Sequence, residues 1–384
     1  MSDLPRPSPA AAAHSERVVA SIRAEIECAG GWIGFARYME LALYAPALGY
    51  YMAGARKLGA DGDFVTAPEL APLYGHTLAR QVAQGLAAVG GEVLEIGAGS
   101  GALAASLLEE LGRLERLPEK YLILELSPEL RERSRDTLAA RVPHLLERVA
   151  WLNVLPPAFT GVVVGNEVLD AMPVSVVRTR AGAIEESGVA VARGNAPFEW
   201  AGRPAAGEVA GAARALALPD GYRTEIGLVA RGFVSSVANM LERGVALFVD
   251  YGFPRAEYYH PQRREGTLMC HYRHRAHGDP FFLPGLQDIT AHVDFTAMAE
   301  AAHGAGADVL GYATQAQFLI NCGLTEVMQR ASPEDAKAYL PLAAAANRLT
   351  SPAEMGELFK ALAFGRGVDA ELIGFRAGDR RHTL

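Results

Sequence analysis

The chain has 384 residues, of which half are hydrophobic, and it carries a formal net charge of −8. This charge excludes a broad nucleic-acid-binding surface, because phosphate binding depends on clustered lysine and arginine side chains. Three widely spaced cysteines exclude a disulfide scaffold, and no apolar run approaches the roughly 18 residues that cross a bilayer, so we expect a cytoplasmic protein without membrane insertion.

The first 90 residues are predicted to form a tail, helices and a long loop. Residues 1–15 have neither a basic start nor an apolar run, which is typical of a disordered tail. Helical spacing follows over residues 16–43, and a stretch rich in Gly, Pro and Tyr then predicts an ordered loop that covers a cofactor. Pro68 begins a further predicted helix that runs to residue 86. We therefore assign residues 16–90 to N-terminal helices and the covering loop.

Strands and helices alternate from residue 91 onward. Apolar strand patterns occupy residues 92–97 and 121–126, and each is followed by a helical pattern. The runs VAWL, GVVVGN and VALFVDYG supply three more strands. This alternation indicates an α/β fold with a doubly wound, mostly parallel sheet that has helices on both faces.

The pattern changes within the predicted core of residues 91–313. Period-two strands interrupted by Gly and Asn predict an antiparallel meander inserted at residues 174–224. The runs GTLMCHYRH and DVLGYA then look like closing strands, which brings the Rossmann-like sheet to seven strands. Residues 314–384 are predicted to be a helical C-terminal addition.

The stretch VLEIGAGSGALAASLL predicts a strand, a tight glycine turn and a helix. Gly97, Gly99 and Gly101 form the turn, and Glu125 stands at the end of the next strand. A carboxylate at that position can accept hydrogen bonds from both hydroxyls of a ribose. Because NAD and S-adenosylmethionine both contain that ribose, the turn predicts a nucleoside site and leaves both cofactors open.

Glu95 favours S-adenosylmethionine. It lies two residues before Gly97 on the same strand, so alternation places it on the side of the glycine turn. A carboxylate there would oppose a pyrophosphate but would suit the ammonium and sulfonium groups of S-adenosylmethionine. The alternative is that Glu95 only pairs with a neighbouring backbone group or arginine.

A second polar cluster follows the strand GVVVGN. Asn166, Glu167 and Asp170 stand at the carboxyl edge of the sheet, where open α/β folds bind ligands. A strand that ends in Asn and acids next to Pro resembles the catalytic loop of amino-group methyltransferases. Asn and Asp also favour helix N-termini, so a helix cap is the alternative.

Six segments between residues 38 and 295 resemble, in this order, the S-adenosylmethionine-dependent methyltransferases related to the mitochondrial complex I assembly factor that methylates an arginine of a complex I subunit. The segments are YMELALYAPALGYY, GDFVTAPEL, LEIGAGSG, NEVLDAMPV, VDYGFPRAEYYHPQR and GLQDITAHVDF. The resemblance implies a class I methyltransferase core, S-adenosyl-L-methionine as the cofactor, and a protein substrate with arginine as the candidate acceptor. A complex I subunit is the partner that it suggests.

Transfer of a methyl group to arginine needs groups that bind, orient and deprotonate a guanidinium, whose pKa in water lies above about 12. Paired carboxylates can bind it as a bidentate fork and accept the proton that leaves. Glu167 and Asp170 are the predicted pair, with Asn166 on the cofactor side. Alignment of nucleophile, carbon and sulfur is the main further requirement, so no metal is expected.

Two further segments supply candidates. Thr66 and Glu69 in the motif TAPEL are predicted to contact the cofactor, because the preceding loop is expected to fold over it. The alternative is that Thr66 and Asp63 are turn residues and that Glu69 only suits the helix dipole. In QDITAHVDF, His292 stands between Asp288 and Asp294, so His292 and Asp294 are predicted to relay a proton; a buried histidine that caps the next helix is the alternative.

The remaining candidates are weighed against ordinary structural roles. Asp250 ends the fifth strand and either faces the substrate or terminates the strand. In CHYRHRAH, alternation points His274 away from His271 and His277, which argues against tetrahedral zinc with Cys270. The basic residues nearby suit an acidic partner or a solvated edge, and they are Arg263, Arg264, Arg273 and Arg275.

Two functions of other classes stay open at this point. An NAD-binding oxidoreductase would bind NADH and would not bind S-adenosylhomocysteine. A methyltransferase-like assembly factor would bind a respiratory-chain partner without catalysis.

Overall fold

The structure is a computed structural model that describes residues 4–53, 66–194 and 196–384. The chain divides into two compact units, each built from three stretches of sequence. Unit 1 comprises Met1–Phe64, Leu169–Arg231 and Arg255–Asp294. Unit 2 comprises Val65–Val168, Gly232–Pro254 and Phe295–Leu384.

The helices and strands of the described residues are numbered in chain order. The helices are α1 (Pro9–Cys28), α2 (Phe35–Tyr44), α3 (Ala67–Leu70), α4 (Leu73–Val89), α5 (Ala102–Arg113), α6 (Pro128–Arg141), α7 (Gly207–Ala215), α8 (Leu228–Met240), α9 (Arg255–Tyr258), α10 (Phe295–Gly304), α11 (Gln315–Asn321), α12 (Leu324–Met328), α13 (Ala336–Thr350) and α14 (Met355–Leu358). The strands are β1 (Ile33–Gly34), β2 (Glu92–Ile96), β3 (Tyr121–Leu124), β4 (Val149–Leu152), β5 (Phe159–Asn166), β6 (Ser175–Arg180), β7 (Ala183–Val191), β8 (Phe198–Pro204), β9 (Arg223–Ile226), β10 (Leu241–Phe253), β11 (Met269–Tyr272), β12 (Arg275–His277), β13 (Asp288–Thr290), β14 (Val293–Asp294), β15 (Asp308–Thr314) and β16 (Phe359–Arg366).

Unit 2 contains the predicted sheet. Its strands follow the order β15-β16-β10-β5-β2-β3-β4. The five strands from β10 to β4 pair in parallel, and β16 pairs antiparallel with both β10 and β15. The predicted fold class, α/β with a mostly parallel sheet, is confirmed. The path has the predicted number of seven strands only because β16 takes the place of the predicted strand GTLMCHYRH.

One helix assignment and one strand assignment from the sequence are wrong. Strand β16 lies within the segment predicted to be helical, because nearly all of Phe359–Arg366 is buried and its apolar run lacks the alternation that distinguishes a strand from a helix. The run GTLMCHYRH does not close the main sheet: Met269–Tyr272 is the middle strand of a three-stranded sheet, β12-β11-β13, in unit 1.

The helices of unit 2 bury one apolar face against the sheet. In α4, Leu78, Val82 and Leu86 recur at helical spacing and are buried in the same cluster as Val162 and Val164 of β5. Each such side chain contributes about 1.5–3 kcal/mol when it is removed from water. This packing fixes α4 on the sheet, and α3 and α4 replace the single helix predicted over residues 68–86.

Unit 1 contains the predicted antiparallel meander. Strands β1, β7, β6 and β9 pair in that order, and β8 pairs with β7. Helix α7 interrupts the meander between β8 and β9. Antiparallel pairing throughout agrees with the period-two pattern of the sequence.

The N-terminal prediction needs correction for the described residues of the tail. Helix α1 begins at Pro9, and Ser8 caps it by accepting a hydrogen bond from the Ala11 amide at 3.2 Å. Its buried positions include Ser15, whose hydroxyl donates to the Pro284 carbonyl at 2.9 Å. The apparent tail is helical because an Ala-rich run after a Ser-Pro pair favours a helix.

Within the described ranges, none of the helices combines the length and the apolar character that a membrane crossing requires.

Candidate active site

The glycine turn joins β2 to α5 in unit 2. Gly97, Gly99 and Gly101 all have left-handed backbone angles, with φ of +67°, +55° and +81°. A Cβ atom on Gly101 would lie 2.8 Å from the Ser134 Cα, so a side chain there would clash with α6. A Cβ on Gly97 would lie 3.3 Å from a methyl group of Val168, which follows β5. The turn therefore requires glycine for both its conformation and its close contacts.

Glu125 lies directly after β3 and beside this turn. Its side chain accepts hydrogen bonds from the Gly99 amide at 3.2 Å and from the Ser127 amide at 3.0 Å. Only 7% of Glu125 is exposed, and this burial raises its pKa, although the backbone hydrogen bonds oppose the increase. The carboxylate thus lies at the glycine turn, as its spacing predicts.

Glu95 is buried within β2, with 1% exposure. Its partner is the Tyr121 hydroxyl, which donates to the carboxylate at 2.6 Å from the neighbouring strand. Burial raises the pKa of Glu95 to about 7, and the hydrogen bond from Tyr121 only partly offsets this effect. The partner of Glu95 is therefore a tyrosine hydroxyl, and not the backbone group or arginine expected as its alternative partner.

Glu167 has an unusual backbone conformation for a non-glycine residue, with φ of +52°. Its amide donates to the Val249 carbonyl at 2.9 Å. Its carboxylate oxygen Oε1 accepts from the Ala67 amide at 3.3 Å and from the Asn166 side-chain amide at 3.0 Å. The amide oxygen of Asn166 in turn accepts from the Tyr74 hydroxyl at 2.5 Å. A continuous hydrogen-bond chain thus holds the carboxylate at the end of β5.

Asp250 supports the same turn from β10. Its carboxylate accepts from the Val168 amide at 3.0 Å and from the Tyr251 amide at 2.9 Å. The side chain is buried, with 1% of Asp250 exposed. Asp250 does not terminate the strand, because β10 continues to Phe253. Its observed contacts fix the backbone of the turn.

The motif TAPEL consists of the N-cap residue Thr66 and the whole of α3. Thr66 occupies the N-cap position, and among the described contacts its side chain makes no capping hydrogen bond. Glu69 lies in the first turn and accepts a hydrogen bond from the Ser100 hydroxyl within the glycine turn. The motif TAPEL and the glycine turn, which both contain predicted cofactor residues, therefore contact each other within unit 2. Asp63 lies outside the described residues.

The other predicted acceptor-side residues belong to unit 1. Asp170 is buried, and its backbone carbonyl accepts from the Ala291 amide at 3.0 Å. The His292 amide donates to the Thr267 hydroxyl at 3.0 Å. Asp294 forms an ion pair of 3.6 Å with Arg255. The roles of Asp170, His292 and Asp294 stay predictions.

The segment CHYRHRAH is not the single strand on which the alternation argument depends: it forms the hairpin of β11 and β12, and His274 lies in the turn between them. Cys270 and His277 are directly opposed across this hairpin. Burial raises the pKa of the Cys270 thiol, so the free thiol is protonated at neutral pH. Within the described part of the chain, no group of three or more His, Cys, Asp or Glu side chains could hold a metal ion.

Three residues at the carboxyl edge of the unit 2 sheet were not predicted from the sequence. Tyr74 lies among apolar residues of α4, so its pattern is that of an ordinary core residue. Leu126 and Val154 follow β3 and β4 and are 60% and 73% exposed. The sequence contains a signal for these two residues: each is apolar and stands at the end of a predicted strand, where the chain leaves the buried sheet. Exposed apolar residues at neighbouring strand ends indicate a ligand-binding surface.

Comparison with known proteins gives consistent matches. A family model described as "Putative S-adenosyl-L-methionine-dependent methyltransferase" matches residues 77–313. A crystal structure from Burkholderia thailandensis with bound S-adenosyl-homocysteine has a TM-score of 0.96, 56% sequence identity and 100% coverage of both chains. A second crystal structure from the same organism has a TM-score of 0.94 and 55% identity, again with 100% coverage of both chains.

Two named relatives are more distant. "Protein arginine methyltransferase NDUFAF7 homolog, mitochondrial" from Drosophila melanogaster is 28% identical, and the match covers 95% of this chain and 89% of the relative. "Protein arginine methyltransferase NDUFAF7, mitochondrial" from Danio rerio is also 28% identical, with 86% of this chain and 83% of the relative covered.

Proposed function

We propose that this chain, which belongs to the family of S-adenosyl-L-methionine-dependent methyltransferases, transfers the methyl group to an arginine side chain of a protein. The observation that carries the proposal is the carboxylate of Glu167, which the Ala67 amide and the Asn166 side chain hold at the carboxyl edge of the sheet. The names of the relatives from Drosophila melanogaster and Danio rerio support arginine as the acceptor.

The residues of unit 2 suit a cationic nucleoside cofactor. Glycines with positive φ allow the backbone to approach a ligand closely, and the carboxylates of Glu125 and Glu69 contact the turn. In our proposal Glu125 binds the ribose hydroxyls, and the exposed side chains of Leu126 and Val154 contact the purine. The positive charge of the methionine end would shift Glu95, which burial favours in its uncharged form, toward the ionised carboxylate that binds this end. Asn166, Thr66 and Glu69 complete the proposed cofactor contacts.

The cofactor supplies a methyl carbon that is already activated by its sulfonium sulfur, so the chain must mainly orient the acceptor. A guanidinium is protonated in water and is a poor nucleophile in that form. Glu167 would bind it through a charge-assisted hydrogen bond, direct one nitrogen toward the methyl carbon and accept its proton. Asp170, His292 and Asp294 are proposed to contribute on the acceptor side, and each is open to the same substitution test.

A transfer assay tests the acceptor. The purified chain is incubated with methyl-labelled S-adenosyl-L-methionine and with peptides that differ only by arginine or lysine at one position. We expect label in the arginine peptide and a loss of about 100-fold in kcat for Glu167→Gln, which is the scale of general-base catalysis. The variant Glu199→Gln serves as the control, because it removes an exposed carboxylate from β8.

Three outcomes would contradict the proposal. Equal labelling of the lysine peptide would exclude arginine specificity, and full activity of Glu167→Gln would exclude the role of this carboxylate. Binding of a partner protein without any transfer would favour the non-catalytic assembly factor. A complex I subunit is our proposed physiological acceptor, and mass spectrometry of complex I with and without this chain would test it through the loss of one arginine methylation.

A further inference from the structure

The hydroxyl of Tyr74 makes one of the shortest side-chain contacts near Glu167. Tyr74 lies in the first turn of α4 and is fully buried. Its hydroxyl donates to Asn166 Oδ1 at 2.5 Å, across 92 residues of sequence. Burial also raises the pKa of Tyr74 well above its usual value, so the hydroxyl stays protonated and acts as a donor.

The contacts with Tyr74 and with Glu167 together determine which way the Asn166 amide faces. A phenol that donates must meet the amide oxygen, and the amide nitrogen then points to the other side. There Nδ2 donates to Glu167 Oε1 at 3.0 Å. The reverse orientation would bring the amide oxygen against a carboxylate oxygen, and two acceptors at that distance repel each other.

We propose that Tyr74 is a positioning residue: by donating to Asn166 it fixes the orientation of the amide, and through that amide it aligns the carboxylate of Glu167 with the acceptor. The inference rests on the proposed role of Glu167. Tyr74 itself need not touch the cofactor or the acceptor.

The variant Tyr74→Phe removes the hydroxyl and keeps the aromatic ring in the core. We expect kcat for the arginine peptide to fall about tenfold, which corresponds to the loss of one buried hydrogen bond. In the double variant with Glu167→Gln, the loss should equal that of Glu167→Gln alone, because both changes act through one carboxylate.

Tyr38→Phe is the matched control. Tyr38 is also fully buried, and its hydroxyl donates to the Pro280 carbonyl at 2.6 Å within unit 1. This control should lose a similar amount of stability and keep its kcat. A purely structural role for Tyr74 would make the two variants behave alike.

Crystal structures of the wild type and Tyr74→Phe with S-adenosylhomocysteine give a readout that needs no acceptor. We expect the contact between Asn166 and Glu167 to lengthen or to become disordered in the variant. An unchanged contact, or an effect of Tyr74→Phe that multiplies with that of Glu167→Gln, would overturn the inference. Full activity of Glu167→Gln would instead overturn the proposed role of Glu167, so the two failures are distinguishable.

Discussion

Glu167 combines an unfavourable backbone conformation with a fixed carboxylate. A left-handed conformation brings Cβ close to the following carbonyl oxygen, at a cost of about 1–2 kcal/mol for an L-residue. The cost is tolerated here because two hydrogen bonds hold the turn. The Glu167 amide donates to the Val249 carbonyl, and the Val168 amide donates to the Asp250 carboxylate. Strain that the surroundings enforce at a strand end is typical of functional positions.

Substitution of Glu167 should therefore separate stability from activity. We expect Glu167→Gly to be more stable than Glu167→Ala by about 1 kcal/mol, because glycine adopts positive φ without a steric cost. Both variants should lose methyl transfer. Urea unfolding of the two proteins measures the difference in the free energy of unfolding.

Ala181 provides a matched control for this comparison. It has φ of +50° in the exposed turn between β6 and β7. Ala181→Gly should gain a similar amount of stability and keep full activity. If Glu167→Ala is as stable as Glu167→Gly, the backbone at residue 167 is not strained.

Glu95 should make stability depend on pH near neutrality. Its pKa in the folded protein, about 7, is higher than the value of 4.5 for an unburied glutamate, so the folded state favours the protonated form. Such a group contributes its full stability below pH 4.5 and loses this contribution as the pH rises to about 7, by up to about 3 kcal/mol.

Comparison of Glu95→Gln with the wild type isolates this effect, since all other titrating groups are shared. Glutamine is neutral at every pH, so the variant should become progressively more stable than the wild type between pH 4.5 and 7. Denaturant unfolding at several pH values measures the difference. A difference that does not change with pH would contradict the buried, uncharged state of Glu95.

At the residue scale, the sequence predicts those positions whose chemistry depends on a local pattern. Glu125 and the three glycines follow from the strand, turn and helix motif, and the structure brings Glu125 to the Gly99 amide. Tyr74 could not be predicted in this way. Its partner Asn166 is 92 residues distant, and only the packing of α4 on the sheet brings the two together.

At the element scale, Arg131 of α6 connects the ends of two neighbouring strands. Its Nη2 lies 2.8 Å from the Glu125 carbonyl, 2.7 Å from the Leu152 carbonyl and 2.8 Å from Asn153 Oδ1. Carbonyl groups at strand ends need partners when they are withdrawn from water. One guanidinium thus fixes the residues that follow β3 and β4, including the proposed ribose ligand.

Loss of this connection should weaken cofactor binding. We expect Arg131→Met to lower the affinity for S-adenosylhomocysteine about tenfold, because Glu125 is no longer held in place, and Arg131→Lys to retain part of it, because an ammonium can still donate to one or two of the oxygens. Isothermal titration calorimetry measures both values.

Arg135→Met is the control for this prediction. Arg135 lies on the same helix and stacks over the ring of Trp151 at 4.7 Å. Its replacement should leave the affinity for S-adenosylhomocysteine unchanged. Equal affinities of Arg131→Met and the wild type would show that Glu125 is positioned without Arg131.

The elements themselves were predictable where one face is buried and one is not. Strand β6 alternates between buried and exposed side chains from Val177 to Arg180, because one face of this half of the strand is buried. Strand β16 lies between β10 and β15, so nearly all of its side chains are buried, and the run FKALAFGR has no period that separates it from a helix. Helix α1 begins at Pro9, within residues predicted to be a tail, because its alanine run lacks the large apolar side chains whose spacing identifies a helix.

At the scale of the whole molecule, both units are discontinuous in sequence. Unit 2 consists of residues 65–168, 232–254 and 295–384, whereas the domains predicted from the sequence are consecutive segments. Local patterns cannot reveal such a division, because it depends on contacts between distant segments. The proposed cofactor contacts from Thr66 to Asn166 nevertheless all fall in unit 2, since the motifs that form them end neighbouring strands or flank the glycine turn.

This distribution predicts where cofactor binding slows hydrogen exchange. With saturating S-adenosylhomocysteine we expect the largest slowing at residues 97–101, 125–127 and 166–168, because the amides of these turns lie at the proposed site and their local opening is suppressed by the ligand. Peptides from β7 and β8 in unit 1 provide the internal comparison. Mass spectrometry of exchanged, proteolysed samples measures both sets. Slowing that is equal in the two sets, or that is confined to the meander, would contradict a cofactor site at the glycine turn. The same measurement on Glu167→Ala separates cofactor binding from orientation of the acceptor: the three turns should be slowed in this variant as in the wild type.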